Sequence, residues 1–152
     1  MFYERENPMI NLISSALICQ PIKLVFKFMS TPNNDFQWRY GTLASALVAD
    51  EDAERGARFR SIGHLMGNRN LSTFEVTEYE PNKKFGFKTL SGPLRSKTSY
   101  AFEMAKGCTK ITISTRVSAV DLPRVRFHLL EKQLKKQLEE DLATLKNILE
   151  KS

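Results

Sequence analysis

Residues 121–150, DLPRVRFHLLEKQLKKQLEEDLATLKNILE, decide the fold. Asp121 is suited to cap a helix with its carboxylate, and Pro123 falls in the first turn, where its missing N–H is harmless. No glycine follows Gly107 and no proline follows Pro123. Nothing therefore interrupts a helix of about 29 residues, roughly 43 Å long at the standard rise. Phe127, Leu130, Leu134, Leu138, Leu142, Leu145 and Leu149 recur at spacings of three and four and form one apolar stripe. Leu122, Val125 and Leu129 form a second, shorter stripe, so the first half of the helix is expected to be enclosed on more than one side. A long helix with one apolar face needs a broad partner surface.

The rest of the sequence reads as that surface. Residues 9–18 have strand length and content and end at Gln20-Pro21, where proline can open a helix. Ile22, Val25, Phe26 and Met29 then fall at helical spacing, and the run from Ser30 to Asp35 stops that helix. Another helical turn is expected to deliver Phe36 and Trp38 to one side. Six strands follow, over residues 42–49, 57–66, 70–79, 84–90, 96–105 and 110–119. The turns between them carry Asp50 to Gly56, Gly67-Asn68, Pro81-Asn82, Ser91-Gly92-Pro93 and Lys106-Gly107. Thr98, Tyr100, Phe102 and Met104 alternate with polar residues, as do Ile111, Ile113 and Val117, which gives the last two strands one wet and one dry face. Between residues 57 and 79 the two faces are mixed, and the pattern leaves their inward side open.

The chain has 152 residues, 41% of them hydrophobic, which suits one domain over 1–152, with residues 1–8 read as a loosely ordered extension. Cys19 and Cys108 lack close spacing, so they point neither to a disulfide framework nor to a metal site, and a reducing compartment fits. The charged start and the interrupted run from Met9 to Ile18 argue against a signal peptide, and no run approaches a membrane span. A cytoplasmic protein is expected. Net charge is +6, from 23 Lys and Arg against 17 Asp and Glu, which favours anionic partners only mildly.

The order and spacing of several stretches are similar to the START-related superfamily, also called SRPBCC or helix-grip proteins, and in particular to its polyketide cyclase/dehydrase and lipid-transport branch. The resemblance is carried by Ile18 to Pro21 through Val25-Phe26 to Pro32 and Trp38, by Gly56 to Phe59, by Phe74 to Pro81 (FEVTEYEP), and by Gln137 to Glu150 (QLEEDLATLKNILE). It implies an α+β helix-grip fold. A seven-stranded antiparallel sheet would curve around the long C-terminal helix, with two short helices between strands 1 and 2 and a hydrophobic cavity between sheet and helix. It implies no particular reaction, since one fold hosts many functions.

The candidate ligand contacts follow from that cavity. Trp38, Phe59, Phe74, Phe87, Tyr100 and Phe102 supply aromatic surface, joined by Phe127 and Leu130 on the helix. Arg58 and Arg126 are the arginines to watch, because an inward guanidinium can hold a ligand oxygen through paired hydrogen bonds. Glu75, Glu78 and Glu80 offer carboxylates on both faces of one strand, with a solvated face as the plainer reading. His64 and His128 lack a ligand pattern for a metal, and no nucleophile-elbow sequence is present.

Arg124, Arg126, His128, Lys132, Lys135 and Lys136 crowd the first half of the helix, while Glu139, Glu140 and Asp141 follow as a solvated acidic run. The basic face fits at most peripheral contact with an anionic membrane, and it lacks the aromatic interleaving that stacks bases. The expected function is binding or transport of a small hydrophobic or amphipathic ligand, a lipid, a quinone or an aromatic polyketide-like molecule, with no cofactor. The alternatives are a polyketide cyclase/dehydrase-like enzyme, for which no acid/base pair is assembled in the sequence, and a co-chaperone or ribosome-associated interaction module.

Overall fold

A computed structural model describes residues 9–48, 54–65, 67–118 and 124–151. β1 (Met9–Ile18) leads into α1 (Ile22–Met29), which buries Val25, Phe26 and Met29. Pro21 stands at its start with extended backbone angles, as proline permits. A 3-10 turn (Pro32–Asn34) runs directly into α2 (Asp35–Trp38). Trp38 is buried, but Phe36 is 55% exposed. Two residues apart on a helix of 3.6 residues per turn lie on nearly opposite sides, so the expectation that both rings share a side is corrected.

Six strands then follow: β2 (Thr42–Leu47), β3 (Arg58–Leu65), β4 (Asn68–Glu80), β5 (Lys84–Ser91), β6 (Arg95–Ala105) and β7 (Cys108–Ser118). They pair antiparallel in the order β1-β7-β6-β5-β4-β3-β2. The chain thus meanders from β2 to β7, and β1 closes on the far side of β7. Lys106 and Gly107 both take positive φ between Ala105 and Cys108, the geometry of a two-residue hairpin whose twist matches its strands. Phe59, Ser61, Gly63 and Leu65 of β3 face the concave side, which resolves the parity the sequence left open. Arg58, Arg60 and Ile62 take the other parity and are exposed.

α3 (Arg124–Glu150) lies across the concave face. Its stripe is divided by depth. Leu142, Leu145 and Leu149 enter the main core with Phe26, Phe85, Phe102 and Ile111, while Leu130 joins a second cluster with Ile10, Leu12 and Val117. Leu134 and Leu138, between them, are only half-buried. Leu129 of the second stripe is 56% exposed, so enclosure of the first half on two sides does not extend to it. Asp121, Leu122 and Pro123, the side chain of Val125, residues 1–8 and the turn residues 50–53 lie outside the described residues.

Cys19 and Cys108 form a disulfide, which corrects the reading of two unpaired thiols and removes the basis for inferring a reducing compartment. The cause is register: β1 pairs Ile18 with Thr109, so the next residue on each strand faces the other across the ladder. The same corner holds the end of α3. Cys19 N–H donates to Glu150 Oε2 at 2.8 Å, and Gln20 Nε2 donates to the Leu149 carbonyl at 2.8 Å.

Candidate functional site: a cavity beneath the long helix

Between the concave sheet and the middle of α3 lies a cavity of about 220 Å³. Leu134, Gln137, Leu138 and Asp141 of α3 form one wall, and β3 to β7 form the opposite one. Rings run along that floor. Phe74 stacks on Phe59 with centroids 5.0 Å apart, Phe87 meets Phe74 edge-on at 5.5 Å, and Tyr100 meets Phe87 at 5.7 Å. Trp38, from the end of α2, closes the series against Tyr100 at 5.9 Å. Its Nε1–H is buried and meets no acceptor among the described residues.

The connection from α2 to β2 brings in the one cationic group of the wall among the described residues, Arg39. Its position is built in steps. Asp35 and Arg39 are four residues apart and so share one side of the turn, and Arg39 N–H donates to the Asp35 carbonyl at 2.8 Å. Tyr40 N–H donates to Asp141 Oδ1 at 3.0 Å, which ties the connection to α3. His64 N–H donates to the Gly41 carbonyl at 3.0 Å, and a Cβ on Gly63 would collide with that same carbonyl. Glycine at 63 is what lets β3 approach so closely. The Arg39 guanidinium then lies over two rings, 5.7 Å from the centroid of Phe87 and 5.9 Å from that of Trp38.

Electrostatics at this end are tightly balanced. Burial works against the charge on Arg39, but Tyr100, Asp35 and Asp141 outweigh it, so the guanidinium is held above its ordinary value. Burial lifts the Asp35 carboxyl from 3.8 to about 7, against the pull of Arg39. Asp141 is also raised by burial, and the Tyr40 N–H, the Gln137 amide 2.9 Å away and Arg39 draw it back. Burial pushes the Tyr100 hydroxyl well above its usual range, again opposed by Arg39. Asp35 stands behind Arg39 and outside the lining, whereas Asp141 is part of it.

Of the residues singled out in the sequence, Trp38, Phe74, Phe87 and Tyr100 lie in the wall. Phe59 and Phe102 are buried in the main core outside the lining, and Leu130 and Phe127 belong to the second cluster. Arg58 and Arg126 are exposed and not part of the wall; strand parity turns Arg58 to the convex side. Two carboxylates of β4 are engaged elsewhere, Glu75 with Lys88 at 3.5 Å and Glu78 with Ser99 Oγ at 2.8 Å. Arg39, Gln137 and Asp141 were not singled out as contacts. The signal for Asp141 was present, since it falls three residues after Leu138 and seven after Leu134, on the apolar stripe rather than in a solvated run. It is 8% exposed.

Among the described residues no group of three or more His, Cys, Asp or Glu is placed to hold a metal, and no helix is long and apolar enough to cross a membrane. The chain is similar in fold to a START superfamily protein from Mycobacterium smegmatis, at 12% identity over 93% of this chain and 97% of that one, with a TM-score of 0.75. A Thermus thermophilus protein matches at 17% identity over 90% and 94% of the two chains, with a TM-score of 0.75. DynU16, a protein of the dynemicin biosynthetic locus, matches at 20% identity and a TM-score of 0.66 over 94% of this chain but 48% of its own. No curated protein matches the sequence. The sequence profile described as polyketide cyclase / dehydrase and lipid transport matches residues 9–150, and the chain belongs to that family.

Proposed function

We propose that the protein binds a small apolar or amphipathic molecule in the space between β3–β7 and α3. The observation that carries this reading is a cavity whose surface is mainly apolar, with rings along its floor, Ser, Thr and Asn side chains of the strands between them, and the charged Arg39 and Asp141 in the same wall, flanked by a packed core cluster on either side. Trp38, Phe74, Phe87 and Tyr100 would contact the apolar part, and Arg39, Gln137 and Asp141 the polar part. Its volume of about 220 Å³ lies below the roughly 300–1,000 Å³ usual for drug-sized sites. A fused-ring or short-chain molecule fits that space, and a two-chain membrane lipid does not. The reducing compartment expected from free thiols is not carried into this reading, since the cysteines are paired.

Native mass spectrometry of the protein taken directly from a lysate tests it. A discrete adduct lost on denaturation is expected. A clean mass that stays unchanged after incubation with fatty acids, quinones and aromatic polyketides would overturn the reading. A cyclase-type reaction is the second reading, favoured by one observation: Arg39 and Asp141 face the same cavity. It requires turnover of a bound carbonyl compound that Asp141→Asn abolishes while binding persists.

A further inference from the structure

Resting on the binding reading above, we infer that the polar end of the ligand is an uncharged oxygen acceptor, such as a ketone, quinone or amide carbonyl, and that the site rejects a carboxylate on the same skeleton at neutral pH. Arg39 and Asp141 are the only charged residues of the wall among those described, so the lining carries one charge of each sign. A lone inward arginine would ordinarily suggest an anionic guest. Here two carboxyl groups already act on that charge, and Asp141 does so from within the same wall. Asp141 approaches it from α3, with Glu140 as its neighbour; Asp35 approaches from the preceding turn of α2; and Tyr100 reaches it from β6. From β3, His64 places Nε2 3.1 Å from the Tyr40 carbonyl, so that ring is engaged with the connection rather than the cavity.

An anionic head would add a second negative charge beside Asp141 in a poorly solvated space, and removing an ion from water without a free partner is costly. A carbonyl oxygen brings no charge and needs only an N–H donor. The guanidinium has five. Arg39 is only partly buried, and as a lining residue it has surface to offer the cavity. An amine head would meet Asp141 with its Oδ1 already accepting from Tyr40 N–H and Gln137 Nε2, and would bring a second positive charge beside Arg39 in the same wall.

Three compounds on one skeleton test the inference: 2-acetylnaphthalene, 2-naphthoate and 2-naphthylmethylamine, with naphthalene as the headless control, titrated against the intact protein by calorimetry. The ketone is expected to bind with a Kd unchanged across pH 7. The carboxylate, ionised throughout, should bind at least about tenfold more weakly above pH 7, the result of one unmatched charge pair at close range. It should gain affinity as the pH falls through about 7, where Asp35 takes up a proton. Arg39→Met should weaken the ketone about tenfold, the scale of one hydrogen bond to a charged donor, and leave naphthalene unaffected. Naphthoate binding as tightly as the ketone above pH 7, or the amine binding tightest, would overturn the inference while leaving the binding reading intact. Should Arg39→Met not fold, the comparison of ketone and carboxylate on the unaltered protein decides alone. Failure of all four compounds to bind would remove both the inference and the reading beneath it.

Discussion

Asp35 is a carboxyl kept out of water on the far side of Arg39, and its energetics have a definite sign. Its folded value of about 7 lies above the ordinary 3.8, so between those values the folded state holds a proton that the unfolded state has released. Its effect on stability is therefore most favourable below pH 3.8 and is lost as the pH rises through about 7. Asp35→Asn should differ little from the parent protein in acid, and should be the more stable of the two by about 2–4 kcal/mol above pH 7, read from urea midpoints on either side of that value. An equal gap at both pH values would refute this account of the carboxyl. At this scale the sequence was only partly legible. Aromatic residues declared themselves by type, which brought four of the wall residues into view. Arg39 did not, because its direction depends on where a single helical turn happens to end and on the close passage of Gly41 past Gly63. Asp141 was legible in principle and was passed over because it follows two glutamates.

Elements were read more securely than side chains, because periodicity reports on whole segments. β1 and α1 have the expected bounds, and α3 runs unbroken to Glu150. What periodicity does not report is depth, and residues on the same stripe of α3 differ in what they touch. Leu145 is fully buried in the main core, whereas Leu134 borders the cavity. Leu145→Ala should therefore cost about 2–5 kcal/mol in chemical denaturation. Leu134→Ala should cost about 1 kcal/mol, since part of its surroundings is already empty. Equal losses at the two positions would mean that the space beneath the helix is closed in solution. Gly63→Ala belongs to the same scale. Forcing β3 away from the α2–β2 connection should cost about 1–3 kcal/mol and displace Arg39, visible as weaker binding of any ligand that uses it.

For the whole molecule, a long amphipathic helix against a run of alternating strands was legible in the pattern and the family resemblance implied the helix-grip arrangement, but neither carried the disulfide. Its two cysteines are 89 residues apart, and only the closing of β1 against β7 brings them together. A cross-link over that distance restricts the unfolded chain strongly, so Cys108→Ser should lower stability by about 2–4 kcal/mol under oxidising conditions. It should leave ligand uptake unchanged, because the corner it fastens lies at the Leu149 end of α3 and outside the lining. Loss of uptake in the folded variant would show that the corner and the cavity are coupled.

The gap beneath the middle of α3 also sets durability against use. A core that leaves room for a guest forgoes the packing that would fill it, so a bulkier side chain aimed into the space ought to toughen the empty protein. Ser61, on the concave side of β3, is such a position. Ser61→Ile is expected to raise the melting temperature of the apo form and to abolish uptake in the same step. Heat resistance and occupancy then become opposite readings of a single volume, and a variant library sorted for survival at high temperature would be enriched in proteins that no longer accept their guest, even before that guest is named.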